Sequence, residues 1–241
     1  MPLVRWLFLV CFEWGVIILC ATAALMSPLL WPAAWLIIGT RQHALLVLGH
    51  EAVHRTLIGN RTVSDCVANM LTFWPCGVDI PTFRRFHLEH HRTVGTPLDP
   101  EKGPLSAYPD HWRNLTSSKR ARLIGLDLFG LTLREQLIVS GVAHGPGSAL
   151  RLAYSAAIVG VLSYLQLWPL LLLWLLCLFT VAFACMRARI WREHIGAGKL
   201  VTHRYQAKLW ERMTYLPHNI WRHWDHHRRG RWSVPWYRLR P

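Results

Sequence analysis

Four apolar runs, at about 6–26, 28–48, 152–167 and 168–186, alternate along this chain with two polar, basic stretches at 49–150 and 187–241. A helix needs about 20 mostly apolar residues to cross the hydrocarbon of a bilayer, so the runs predict membrane spans. The first opens at Trp6 and is interrupted only by Glu13. Ala21-Thr-Ala23 resembles a signal-cleavage site, but the run is longer than an ordinary signal core, which favours a retained span. An intramembrane carboxylate such as Glu13 is either a functional residue or half of a polar pair inside the bundle. The second run starts at Ser27-Pro28, a sound helix start, and passes Arg41 and His43 before an extension carrying His50 and His54. The last two runs are split by Trp168-Pro169 and predict a tight hairpin, continued outward by Ala188–His194.

The stretch 62–80 is only moderately apolar and holds Asp65, Asn69, Pro75 and Asp79. A crossing there would put His54 and His87 on opposite faces of the membrane, so an interfacial or re-entrant segment is expected. Phe83–His91 predicts a helix, closed by Gly95-Thr-Pro97 and Pro100. Leu123–Leu137 predicts an amphipathic helix against the membrane, its Lys119-Arg120-Ala-Arg122 flank solvated or lipid-facing. The expected fold is a single all-α integral membrane domain of about four transmembrane helices. A histidine-rich cytosolic cap and interfacial helices complete it.

Composition sharpens this picture. Of 241 residues 52% are apolar, and the net charge of +14 falls in 84–151 and 187–240, with none in the connections near Ser27-Pro28 and Gln166–Pro169. That asymmetry is the positive-inside pattern and places both basic stretches in the cytoplasm. No basic soluble module is visible, so nucleic acid is not an expected partner. The six cysteines are scattered without a C-x-x-C pair, and neither disulfides nor metal are assigned to them.

The chemistry lies in three histidine clusters: His50-Glu-Ala-Val-His54, His87-Leu-Glu-His90-His91 and His223-Trp-Asp-His226-His227. At 100° per residue, positions i, i+3 and i+4 share a helix face, so each cluster aims its imidazoles at one point. Neutral imidazole is the commonest ligand for iron, zinc and copper, and eight are too many for one ion. Two metals are the simplest count. His194, on the outward extension of the last span, repeats the placement of His50 and is a candidate ninth ligand. His43, His111, His144 and His203 stand alone and are read as ordinary core or surface residues. One rival site exists: His50-Glu51-x-x-His54 matches the zinc-protease pentapeptide, with Glu51 as general base, but leaves the other clustered histidines without a role.

Boxes of the form H-x-x-x-H, H-x-x-H-H and H-x-x-H-H, together with Gly49–Thr56, Phe83–His87 leading into Gly95–Pro100, Asn219 four residues before His223, and Val234-Pro-Trp-Tyr237, resemble the membrane fatty acid desaturase superfamily, which also contains hydroxylases and carotenoid ketolases. The resemblance implies a four-span bundle holding two non-haem irons on His50, His54, His87, His90, His91, His223, His226 and His227, with His194 as a ninth ligand. It implies Asn219 as a second-shell or water-mediated partner. Glu89 and Asp225, inside the boxes, are candidates to accept the other ring N–H of a ligand. The implied reaction spends O2 and two electrons to desaturate a lipid acyl chain. A hydroxylase or ketolase of a carotenoid or other lipid is the alternative. No fused cytochrome b5 or ferredoxin module is seen, so a separate electron donor of either type is expected, and Arg222, Arg228, Arg229 and Arg231 are either its docking face or a plain positive-inside face. A metal-binding membrane scaffold without redox function is the non-enzymatic option, disfavoured by the intact ligand set.

Overall fold

The computed structural model describes residues 3–54, 57–94, 96, 98–100, 116–134, 149–194 and 202–228, and every regular element among them is helical. Helices α1 (Leu3–Met26) and α2 (Trp31–His54) form an antiparallel pair, followed by α3 (Arg61–Ala68) and α4 (Ile80–Thr93). Then come α5 (Ser117–Leu128), α6 (Ala149–Tyr164), α7 (Trp168–Cys177) and α8 (Phe183–His194), and near the end the short α9 (Leu209–Met213) and α10 (His223–Arg228). A π-helical turn, Leu178–Ala182, joins α7 to α8 without a break, and a second, Asn69–Phe73, follows α3.

Two of these helices, Leu3–Met26 and the joined Trp168–His194, are long and apolar enough to cross a membrane. The outer faces of α1 and α6 agree with an apolar surrounding: Val4, Phe8, Leu19 and Met26 on one, and Leu150, Leu152 and Val161 on the other, are exposed. Inward, α1 buries Trp6, Val10, Glu13 and Ile17 at helical spacing against α2. The Trp6 indole donates to the carbonyl of Leu48 at 3.0 Å. Helix α2 is the centre of the bundle. Its neighbours bury Gln42, His43 and most of its second half, so it tolerates polar residues that a lipid-facing helix would not.

Both π turns press on α2 where it has glycine. A Cβ on Gly39 would lie 2.4 Å from the Cβ of Val181, and one on Gly49 would lie 2.2 Å from a ring carbon of Phe73. The widened turns push their side chains toward α2, and only a missing side chain admits them. The stretch 61–76 is a short helix, a π turn and a 3-10 turn (Trp74–Cys76) folded against α2. Its polar residues are used internally. The side-chain oxygen of Asn69 accepts from the backbone N–H of Ile80 at 2.9 Å, and Asp79 accepts from the Trp74 indole at 3.0 Å, which ties the start of α4 to the turn before it.

Helix α5 begins and ends earlier than the apolar pattern suggests. Thr116 caps its start, and Gly130, with a φ of 68°, closes its end through bonds from Gly130 to Asp127 and from Leu131 to Leu126. That glycine turn stops the helix although the sequence beyond it stays apolar. Asp127, buried on α5, pairs with Arg187 of α8. The remainder of the expected 123–137 helix, beyond Arg134, lies outside the described residues, as do His111, His144, Arg229, Arg231 and the Val234–Tyr237 segment.

Candidate metal centre

Four elements deliver nine imidazoles to one place. The end of α2 supplies His50 and His54, α4 supplies His87, His90 and His91, the end of α8 supplies His194, and α10 supplies His223, His226 and His227. In one group the ligand nitrogens of His50, His54, His87 and His226 all lie within 4.8 Å of one another; in a second, those of His90, His194, His223 and His227 do the same. His91 joins the first, its Nε2 lying 2.9 Å from that of His87 and 2.8 Å from that of His226. The i, i+3, i+4 spacing alone aims all three α4 histidines at one point. The tertiary packing splits them, His87 and His91 to one group and His90 to the other.

The Nε2 atoms of His50, His54 and His87 form a triangle with edges of 2.7, 2.9 and 3.2 Å. Three neutral rings cannot satisfy such a triangle with hydrogen bonds, because a nitrogen without a proton offers only a lone pair to the others. A cation at its centre satisfies all three. With metal–nitrogen bonds of about 2.0–2.1 Å, neighbouring ligand nitrogens stand roughly 3.0–3.4 Å apart, and the observed edges approach that spacing. The donor set therefore fits a metal, and the two groups fit two.

The protonation state agrees. Burial first, then the neighbouring imidazoles, push His87, His223, His226 and His227 well below the usual histidine value of 6.5. His91 is pushed down to about 3, by burial and by His54 and His90, against an opposing pull from Asp99. All are neutral at pH 7, the form that ligates.

Around the rings, the carboxylates and Asn219 make the following contacts. Asp99, almost wholly buried, accepts from Nδ1 of His90 at 2.9 Å and so presents the other ring nitrogen to the second group. Glu89 instead pairs with Arg92 on the half-exposed side of α4, at 2.7 Å. At about 100° per residue it lies roughly 160° round the helix from both His87 and His91, nearly opposite the histidine face. Asp225 is half-buried on α10, with no hydrogen bond to a clustered imidazole among the described residues. Asn219 sits in the left-handed region, φ 61°, and its side-chain oxygen accepts from the Trp221 indole at 3.3 Å. Asp99 was visible in the sequence only as part of the loop after the second box; no local period marks its contact.

Arg84 was also not foreseen. Its guanidinium grips Asp65 through two bonds of 2.7 Å and donates to the carbonyls of Ala52 and Val53 at 2.8 and 2.9 Å. Those carbonyls belong to the last turn of α2, which has no intrahelical donors left, so Arg84 anchors the turn bearing His54 to α4. Glu13 proves to be half of a polar cluster within the bundle: its carboxylate lies 3.3 Å from Arg41 and 2.9 Å from Nε2 of His218. Arg41 also donates to the carbonyl of Met213. His43 hydrogen-bonds the carbonyl of Tyr215 at 3.1 Å, away from the nine rings. His203 is likewise outside both groups.

Beside the first group opens an apolar cavity of about 630 Å³, walled by side chains such as Trp14, Ile38, Leu46, Phe73 and Trp174. His43, His50, Tyr154, Ser155 and Arg189 are its polar lining. A pocket of this size suits a small or medium apolar molecule, and His50 puts it in contact with the imidazole cluster.

Comparison with known proteins gives two findings. The family model described as fatty acid desaturase matches residues 27–241. The dihydrorhizobitoxine desaturase of Bradyrhizobium elkanii is 35% identical over 94 residues, which cover 38% of this chain and 26% of that protein. The match thus spans about a quarter of the relative's length. No solved structure matches.

Proposed function

Because this chain belongs to the fatty acid desaturase family, we propose that it is a multi-pass membrane oxidoreductase that holds two non-haem irons and removes two hydrogens from an acyl chain. The observation that supports this most is the partition of nine imidazoles into a five-membered and a four-membered set beside an apolar cavity. Bound iron would supply the O2 and C–H chemistry that no side chain can perform. His50, His54, His87, His91 and His226 would hold one ion, and His90, His194, His223 and His227 the other.

The protein's own part is positional. Asp99 fixes the tautomer of His90; Arg84 and Asp65 hold the α2 and α4 ligands in register; the cavity wall lays an apolar chain against His50 and keeps water from it. The overall reaction balances as a CH2–CH2 unit, O2, two electrons and two protons going to CH=CH and two waters. The electrons would come from a separate ferredoxin- or cytochrome b5-type donor. Two further spans, through α2 and α6, would complete a four-span bundle with the histidines on the cytoplasmic side, in keeping with the basic stretches at 84–151 and 187–240.

Oxygen insertion, giving a hydroxylase or ketolase, uses the same ligand set and is the second reading. Against a zinc protease on His50-Glu51-x-x-His54 stands the grouping of His87 and His226 with the two imidazoles that a single zinc would use. Metal analysis of the purified protein should find about two irons per chain. Acyl-lipid and pigment profiles of cells expressing the wild type with a competent donor should gain an unsaturated product that His226→Ala does not give. One zinc and no change in any profile would overturn the proposal.

A further inference from the structure

Among the polar residues lining the cavity, Arg189 stands apart. His43 and Tyr154 are committed to backbone carbonyls, of Tyr215 at 3.1 Å and Met70 at 3.2 Å, and His50 belongs to the imidazole cluster. Among the described residues Arg189 has one anionic neighbour, Glu193 one turn along α8, at 3.8 Å, which is beyond hydrogen-bond reach. Glu193 is shared with His223, at 3.7 Å. The Nε–H of Arg189 is buried and has no acceptor among the described residues. A guanidinium in an apolar wall with a buried donor unmet is a costly arrangement, and it implies an acceptor arriving from outside the chain.

Its position says which kind of acceptor. The cavity-facing stripe of the last long helix runs Phe179, Phe183, Met186 and then Arg189, so three apolar side chains lead to one cation at the imidazole end. Through Glu193, which lies near both Arg189 and the His223 ring, Arg189 borders the second group, and the cavity it lines also reaches His50 of the first. Glu193 does not reach the buried Nε–H, so the donor is left for an acceptor that enters the cavity. A planar guanidinium recognises carboxylate oxygens in particular.

We propose that Arg189 anchors a substrate carboxylate inside the cavity, so that the substrate is an apolar-chain acid held by its acid group next to the imidazoles. The tail then runs back along the Met186–Phe183–Phe179 stripe. The carbons presented for reaction are those near the carboxyl end, not those far along a chain whose head group stays at the membrane surface. The choice of reacting carbon rests on the desaturase reading above; the anchor does not.

The test is ligand binding to the purified full-length protein, as isolated and after chelation of metal. Trp14 and Trp174, stacked with ring centroids 5.5 Å apart, line the cavity and report occupancy through their fluorescence. The probes are decanoate and decan-1-ol, which share a chain and differ in charge. A charge-assisted hydrogen bond in such a site corresponds to about tenfold or more in affinity. Wild type should prefer decanoate by at least about tenfold, with metal and without. Arg189→Met should abolish the preference and leave decan-1-ol binding unchanged, and Arg189→Lys should keep most of it. Equal affinity for the two probes in wild type overturns the anchor, and that measurement needs no variant to fold. So does a preference that survives Arg189→Met, or one that vanishes on chelation, which would give the acid to the metal. An acid preference in a protein that yields no unsaturated product keeps the anchor and removes the desaturase reading; unsaturated product without the preference does the reverse.

Discussion

Gly49 offers the sharpest test of how the fold holds its histidines, because two effects of opposite sign meet there. In an exposed helix interior, Gly→Ala gains about 1 kcal/mol from helix propensity. At Gly49 the new Cβ would stand 2.2 and 2.3 Å from two ring carbons of Phe73 and 2.7 Å from the hydroxyl of Thr72. To reach 3.4 Å, the ring must retreat by roughly 1.2 Å. It has nowhere to go. Phe73 is 1% exposed and packs edge-on against Phe83 at 5.4 Å, and Phe83 stacks on the His87 ring at 5.5 Å and 9°. Overpacking a tight core costs about 1–3 kcal/mol, and a contact this short belongs at the upper end, so the clash outweighs the propensity gain. We predict that Gly49→Ala destabilises by about 2 kcal/mol net, a fall of roughly 4–8 °C in Tm for a chain of this length. The displaced Phe73–Phe83–His87 stack should also lower metal content. Gly15→Ala on α1, where no atom lies within 4 Å, is the matched control and should be neutral or slightly stabilising. The assay is thermal unfolding in detergent alongside metal analysis of the same preparation. A Gly49→Ala protein as stable and as metal-loaded as wild type would refute the close-packing account.

Three further predictions test the surroundings of the rings. Asp99→Asn should weaken metal binding about 10- to 100-fold, read by chelator competition, whereas Glu89→Gln should leave it unchanged; equal effects would reject Asp99 as the partner that orients His90. Arg84→Ala strips donors from the α2 carbonyls and a partner from Asp65, and should cost about 2–3 kcal/mol in chemical denaturation; a loss within about 0.5 kcal/mol would reduce Arg84 to a surface residue. In the metal-free protein, the lowered values at His91, His223, His226 and His227 mean that the unfolded chain takes up protons first as pH falls. Their stabilising contribution is complete above about 6.5 and declines as pH drops toward the folded values, so Tm should fall steadily between pH 7 and 5. A flat profile over that range would show the rings to be solvated rather than buried.

The comparison of sequence with structure turns on distance along the chain. Residues within one turn of each other are related by the covalent geometry of a helix, so the facing of His87, His90 and His91, the continuity of α2 from Trp31 through His54, and the outward extension bearing His194 were legible from spacing alone. The apolar runs marked α1, α6 and the joined α7–α8 for the same reason, since their solvent is written into their composition. Glu13 could be flagged but not assigned, because the positions of Arg41 and His218 beside it depend on how α1 meets α2 and the segment before the third box.

What only the tertiary structure decided is how distant elements share one site. That His91 joins the group of His50 while His90, its neighbour, joins that of His194 follows from where α8 and α10 pack against α4. That Asp99, not Glu89, supports His90, that Arg84 closes the end of α2, and that Arg189 meets the cavity are likewise products of packing. A helical period fixes the direction of a side chain about its own axis, and it contains no information about which other axis lies opposite.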